Sequence, residues 1–235
     1  MYNFVKAATV AAAVLVGGAA QAATVEINSI SAEWVNVNPN TGISNFGNVL
    51  LWGNGGQQSG YVFDATMPGP VASNPFLLGD FTHNNFPITG ATLSSADLKL
   101  SVNVTVVSDS GVAQTVDLAP TYTVNHNETP NTASTCSGDS VPCDDIVTFG
   151  NIWDGSATVT VDGVEYSFVL AGFSQDGGAT LVDAFRTIEG QSNTAGLWAS
   201  FSTAPVSAVP LPAAGFMLLG AMGGLGALRL RRKAA

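Results

Sequence analysis

The amino-acid sequence predicts an all-β protein that folds as a single antiparallel β-sandwich, jelly-roll-like in its strand arrangement. Three observations favour this class. Short stretches alternate apolar and polar residues, turn-forming residues separate them about every ten positions, and no part of residues 23–201 keeps a long helical period. We therefore expect residues 23–201 to form one domain, because a chain of this length can bury a substantial core.

The first half of the domain contains the clearest alternation. Residues 25–30 alternate apolar and polar side chains, and residues 98–106 do so more strictly, with the aliphatic side chains on one face. Residues 116–124 are rich in strand-forming residues but contain Pro120, which cannot donate a hydrogen bond to a neighbouring strand. We expect an edge strand or a bulge at that point.

The second half contains the strongest hairpin signal. Residues 157–161 and 164–170 flank Asp162 and Gly163, a pair that accepts the positive φ angles of a type I′ turn. Two later strands are predicted, at residues 180–187 and 197–201. The earlier of the two is also compatible with a helix.

Residues 1–22 match the pattern of a secretory signal peptide. Lys6 supplies the positive charge, an apolar stretch follows, and Ala20 and Ala22 give the cleavage site its two small residues. We therefore expect export, with a mature chain that begins at Ala23.

The C-terminal end has three parts in a fixed order. Residues 202–212 form a proline-containing linker, residues 213–228 an uncharged apolar run, and residues 229–235 a basic end. As a helix the apolar run spans roughly 24 Å, whereas a bilayer core is ~30 Å thick. We expect a short transmembrane helix that holds the body on the outer face, because positive residues stay on the cytoplasmic side.

The linker ends in a short motif made of Val209, Pro210, Leu211, Pro212 and Ala213. Together with the span and the basic end, it resembles a VPLPA-type PEP-CTERM sorting tail. Such tails imply processing by an exosortase, a membrane transpeptidase of Gram-negative bacteria that also make exopolysaccharide. The resemblance therefore implies sorting to the cell envelope, the outer surface or the extracellular matrix, with membrane contact only through the tail.

Two other interpretations of the tail remain open. Leu211 to Gly215 resembles the LPxTG signal of Gram-positive sortases, but Ala214 stands where that signal has threonine. A permanent membrane anchor is the second alternative.

Charge is sharply divided along the chain. All 17 acidic residues lie between Glu26 and Glu189, whereas only Lys99 and Arg186 of the seven basic residues lie there. Phosphate backbones repel such a body, which argues against nucleic acid as a partner. The acidity is typical of a soluble exported domain, and divalent cation binding is the alternative.

The chain contains two cysteines, Cys136 and Cys143, on either side of a short turn-rich segment. In an exported chain such an isolated pair predicts a disulfide. Zinc is not expected, because His83 and His126 are far apart in sequence and the cysteines are expected to be bridged.

Calcium is the one metal that the sequence suggests, and only weakly. Four acidic residues surround the cysteine segment: Asp139, Asp144, Asp145 and Asp154. Calcium takes carboxylate and carbonyl oxygens as ligands. No EF-hand spacing is present, however, and a solvated acidic loop is the simpler interpretation, so no cofactor is predicted.

A second motif lies in the first half of the domain, where Thr82, His83 and Asn85 form a Thr-His-x-Asn sequence after a glycine-rich loop. This region resembles the THxN group of PEP-CTERM proteins, which is related to the choice-of-anchor K type of exported β-domain. The resemblance covers about residues 25–170. It implies an exported β-rich domain and supplies no catalytic residue.

The Thr-His-x-Asn motif has two interpretations. As a site, it would use His83 as a ligand contact or proton carrier, because the histidine pKa lies near neutrality. As structure, it would be anchored by Phe81 and Phe86, and its side chains would satisfy buried backbone groups. The structural interpretation is favoured, since Asp80 is expected on the opposite face and no acid can be paired with the histidine.

No arrangement of catalytic residues stands out. Residues 56–60 place a serine one position away from that of a nucleophile elbow, and a carboxylate pair for glycoside hydrolysis carries no weight among 17 acids. We therefore predict a non-enzymatic structural or interaction role at the cell surface or in the exopolysaccharide matrix. The alternative is a carbohydrate-binding module, with or without calcium, in which exposed tryptophans stack on sugars. An enzyme ranks third.

Overall fold

The computed structural model describes residues 23–71, 75–130, 144–151 and 153–205. The signal peptide, both cysteines, Asp139 and the sorting tail lie outside these ranges, as does the side chain of Asp154. Within the described ranges the regular structure is entirely β-strand. The strands are β1 (Thr24–Asn38), β2 (Ile43–Asn45), β3 (Val49–Trp52), β4 (Ser59–Ala65), β5 (Pro70–Val71), β6 (Phe76–Asn85), β7 (Ser95–Val107), β8 (Ala113–Leu118), β9 (Thr121–Asn127), β10 (Asp145–Phe149), β11 (Trp153–Val161), β12 (Val164–Ser174), β13 (Ala184–Thr187) and β14 (Gln191–Pro205).

These strands form two sheets that pack together in a sandwich-like arrangement. The first sheet has the order β13-β10-β9-β7-β1-β5, with β8 also paired to β7. The second has the order β11-β12-β14-β6-β4-β3-β2. The predicted all-β class is therefore confirmed at the level of two packed antiparallel sheets.

The alternation in the sequence explains the core between the sheets. In β7 every second residue from Ala96 to Val106 is buried, and the intervening residues are more exposed. Aromatic side chains fill the same interior, among them Trp34, Tyr61 and Phe81. Burying such large apolar surfaces supplies most of the driving force for the two sheets to pack.

One local prediction is corrected and one is confirmed. The segment at residues 116–124 is not one edge or bulged strand: Pro120 separates β8 from β9, which pair with successive parts of β7, and β9 lies between β10 and β7 inside the sheet. Asp162 and Gly163 join β11 to β12 with φ angles of 52° and 74°, the two positive values that a type I′ turn requires.

Several strand boundaries differ from the sequence prediction. β13 covers only the last part of the predicted strand at 180–187, because side chains of the preceding loop organise it as a turn. β14 ends at Pro205, inside the predicted linker. In the described part of the chain, no helix has the length and apolarity needed to cross a membrane.

Candidate functional site: a buried histidine–carboxylate cluster

The Thr-His-x-Asn motif occupies the end of β6, near the middle of the second sheet. His83 and Asn85 are two residues apart on one strand, so both side chains point into the sandwich, where neither is exposed. Thr82 points the other way, and its hydroxyl is 2.9 Å from the hydroxyl of Thr194 on β14. The two inward side chains of the motif are therefore buried in the interior, and its structural role stays a prediction.

Both inward side chains contact Thr187, the last residue of β13 in the opposite sheet. Nδ1 of His83 is 2.8 Å from Oγ1 of Thr187, and the amide of Asn85 donates to the Thr187 carbonyl oxygen at 3.0 Å. The Thr187 hydroxyl in turn donates to the carbonyl oxygen of Asp145 at 3.4 Å. One threonine thus ties the motif strand to the facing sheet.

The second histidine of the chain reaches the same place from β9. His126 follows Tyr122 and Val124 on the inward face of that strand, so alternation directs its ring into the core. Its Nδ1 is 2.6 Å from the hydroxyl of Tyr61, and its Nε2 is 3.1 Å from Oε2 of Glu128. The rings of His83 and His126 lie 5.0 Å apart, centre to centre.

Carboxylates complete the cluster. Asp145 begins β10 and is not exposed; its Oδ1 accepts hydrogen bonds from the backbone N–H and the hydroxyl of Thr129, at 2.7 and 3.1 Å. Its Oδ2 lies 3.9 Å from Nε2 of His126. Glu189 follows β13, and both of its carboxylate oxygens are enclosed without a hydrogen-bond partner among the described residues.

The arrangement brings possible metal-ligand atoms of three residues close together. One ligand-type atom each from His83, His126 and Asp145 lies within 4.8 Å of the others. Among the described residues, Nε2 of His83 and Oδ2 of Asp145 are buried without a hydrogen-bond partner. Buried polar atoms are usually paired, so these two need an explanation.

Aromatic rings close the cluster off from solvent. The ring of Trp52 stacks on His83 at 5.7 Å and meets His126 edge-on at 5.3 Å. Tyr61 contacts both histidines as well. Since even His126, the most accessible of the three donor residues, is only 8% exposed, this is an interior site and not a cleft.

Burial dominates the electrostatics. It lowers the pKa of His83 well below the ordinary value, with a further contribution from His126, so His83 is neutral at pH 7. Burial raises the pKa of Asp145 to about 6. It also raises the pKa of Glu189 to about 7, helped by the charges of Asp145 and Glu128. The cluster therefore combines a neutral imidazole with two carboxyl groups whose pKa values are raised by burial.

Comparison with known proteins gives no relative from which the role of this cluster could be inferred. The chain matches no protein-family model and no curated protein. Its resemblance to THxN and VPLPA-type PEP-CTERM proteins therefore stays a prediction that rests on the motif residues.

The structure corrects the view of metal sites taken from sequence. His83 and His126 were expected to be too far apart to share a metal. Their strands, β6 and β9, belong to the two sheets that face each other, and this packing brings the two rings to 5.0 Å between centres. Of the four calcium candidates, Asp145 joins the histidines, and Asp144 is buried beside it in sequence. Calcium binding by the set is untested, because Asp139 and the side chain of Asp154 lie outside the described residues.

Sequence reasoning missed His126, Glu128 and Glu189 as members of the cluster. One signal was present: the alternation that buries Tyr122 and Val124 also directs His126 inward. The serine of residues 56–60 has a structural partner: the Ser59 hydroxyl donates to the carbonyl oxygen of Phe86 at 2.9 Å and accepts from its backbone N–H at 3.1 Å.

Proposed function

We propose that the chain is an exported cell-surface or exopolysaccharide-matrix protein, sorted by an exosortase-type transpeptidase, with a structural or interaction role and no catalysis. Export follows from the residues of the signal and the tail, and the acidic body suits an extracellular location. The sandwich-like domain would then be a stable unit that the cell displays on its surface.

The observation that carries the non-catalytic part is the burial of the motif. His83 and Asn85 are 0% exposed and bind Thr187 across the interior. A side chain that acts on an external substrate must reach it, whereas these hold two sheets together. The most site-like motif of the sequence thus serves as part of the framework.

Processing is the direct test of this proposal. Protein recovered from the native envelope should begin at Ala23 and lack Arg229 and the residues after it, as read by intact-mass spectrometry. Deletion of the exosortase should restore the mass of the uncleaved tail. A main species that keeps residues 229–235 in wild-type cells would leave a permanent anchor instead.

Carbohydrate binding is the second candidate, and one surface feature favours it. Trp34 and Trp52 are buried and cannot stack on a sugar, but the half-buried Trp198 lines an open depression of about 270 Å³. Asp80, Gln175 and Thr194 line the same depression. An aromatic ring beside hydrogen-bonding side chains is the composition that sugar sites use.

A glycan array with and without calcium distinguishes the two functions. If the depression is a sugar site, the purified chain should bind a defined glycan, and Trp198→Ala should abolish that binding. Phe46→Ala is the matched control, because Phe46 is an exposed aromatic residue that does not line the depression. An array without a specific signal, or binding that survives Trp198→Ala, removes the depression as a sugar site.

A further inference from the structure

We propose that the buried cluster is a structural binding site for a divalent transition-metal ion of the Zn²⁺ class. Its ligands would be Nε2 of His83, Nε2 of His126 and Oδ2 of Asp145. A carboxylate of Glu128 or Glu189 would complete a four-coordinate site. The site is independent of export and sorting, and it adds a transition metal to a domain whose sequence weakly suggested calcium alone.

The first step of the argument is the hydrogen-bonding state of His83. The Thr187 hydroxyl donates its proton to the Asp145 carbonyl oxygen, so Oγ1 is left to accept from Nδ1–H of His83. The lone pair of the neutral ring is then on Nε2, the atom that has no hydrogen-bond partner among the described residues. A neutral imidazole nitrogen with a free lone pair is the form of histidine that can bind a metal ion.

The other two proposed ligands are arranged in the same way. In each, a neighbouring residue is hydrogen-bonded to one nitrogen or oxygen of the side chain, and the other nitrogen or oxygen points towards the cluster. Tyr61 holds Nδ1 of His126, which leaves Nε2 facing the carboxylates. Thr129 holds Oδ1 of Asp145 through two hydrogen bonds, which leaves Oδ2 facing His126. Ligands of natural metal sites are oriented in this way by the atoms behind them.

The charges and the distances between the ligand atoms are compatible with a divalent cation. Carboxylate oxygens of Glu128 and Asp145 lie 3.1 and 3.9 Å from Nε2 of His126, and the charges of both residues act on Glu189. The donor atoms are within 4.8 Å of each other, and zinc bonds of ~2.0–2.1 Å in a tetrahedron require about 3.3 Å. Small side-chain rotations would close that difference.

The donor set also selects the class of metal. Two imidazole nitrogens with carboxylate oxygens suit zinc and its first-row neighbours, whereas calcium takes six to eight oxygens. Enclosure by Trp52 and Tyr61 favours a closed site with four protein ligands over a catalytic one with an open position.

Metal titration of the chain, purified in mild detergent and stripped with EDTA, tests the proposal. Thiols are first blocked by alkylation, so that cysteine cannot contribute. Calorimetry should show one Zn²⁺ bound per chain with a rise in melting temperature. Co²⁺ should give visible ligand-field absorption, and Ca²⁺ should not compete at equal concentration.

Variants then assign the ligands. His83→Gln and His126→Gln should abolish the Co²⁺ absorption, and Asp145→Asn should weaken Zn²⁺ binding at least 10-fold. Thr187→Val, which removes the hydroxyl behind His83, should weaken it roughly 10- to 100-fold. Asn85→Ala is the matched control, because it loses a contact to the same threonine but none of the proposed ligand atoms, so its binding should be unchanged.

The site would be overturned by a folded wild-type chain that binds neither Zn²⁺ nor Co²⁺, or by Zn²⁺ affinity that is unchanged in the folded Asp145→Asn and Thr187→Val chains. Should the glutamine variants fail to fold, these milder substitutions still decide the question. Loss of binding in Asn85→Ala equal to that in Thr187→Val would assign the effect to packing and reject the ligand set.

Discussion

At the scale of single residues, Thr187 has the most consequential position. It is fully buried at the end of β13, and it receives hydrogen bonds from two side chains of a strand in the other sheet. Its hydroxyl lies 2.8 Å from Nδ1 of His83 and donates to the backbone carbonyl oxygen of Asp145, so one oxygen contacts both the ring and the neighbouring strand. The Thr-His-x-Asn motif thus depends on a threonine far away in sequence.

Thr187→Val should therefore lower the stability of the metal-free protein. The substitution keeps the side-chain shape but leaves the Nδ1–H of His83 buried without an acceptor, which costs about 1–3 kcal/mol. Thermal unfolding in EDTA measures the effect. Thr82→Val removes an exposed hydroxyl pair from the same motif and should change stability by no more than about 0.5 kcal/mol. Equal losses in the two variants would contradict the role given to Thr187.

At the scale of elements, two connections between strands show different ways of fixing the backbone. The turn at Asp162 follows local sequence rules, whereas the loop after β12 is organised by side chains. There the Ser174 hydroxyl donates to Oδ1 of Asp176 at 2.6 Å and accepts from the backbone N–H of Gly178 at 2.8 Å. Oδ1 of Asp176 also accepts from the backbone N–H of Thr180, at 2.9 Å.

This loop predicts a pH dependence. The Ser174 hydroxyl, with help from Thr180, lowers the pKa of Asp176 to about 2, below the ~3.9 of an unfolded chain. A lowered acid pKa stabilises the fold above the unfolded value and ceases to do so as the pH falls through the folded value. The melting temperature of Asp176→Ala should therefore be lower than that of the wild type at pH 6. This difference in melting temperature should disappear as the pH falls from about 4 to about 2.

Asp80→Ala serves as the comparison, because Asp80 is exposed on β6 outside this turn. Its difference from wild type should not follow the same pH profile. A gap for Asp176→Ala that stays constant down to pH 2 would show that the loss is not due to the carboxylate charge.

At the scale of the whole molecule, the local features were predictable and the site was not. The alternation of β7 and the turn at Gly163 depend on neighbours in sequence, and both appear in the structure as expected. The contact of His83 with His126 depends on which strands face each other across the two sheets. The spacing of residues along the chain does not determine this. Sequence patterns indicated which side chains point inward but not what they meet there.

The two ends of the chain and the cysteine segment lie outside the described ranges. The signal peptide, the disulfide and the sorting tail therefore stay predictions that rest on residue patterns. The interior cluster, in contrast, depends only on described residues. Its metal chemistry can therefore be tested without knowing where the protein is sorted.

The place of β14 between β12 and β6 means that the second sheet is complete only when this last strand has been added. β14 is the last described strand to leave the ribosome, and it pairs with the motif strand β6 along most of its length. Until β14 arrives, β6 is an open edge whose backbone can template another strand. A chain that stops before Gln191 would keep this edge, and a separate peptide with the β14 sequence would fit it in trans, as in donor-strand complementation. The pairing that closes one molecule thus provides a geometry by which two molecules can be joined.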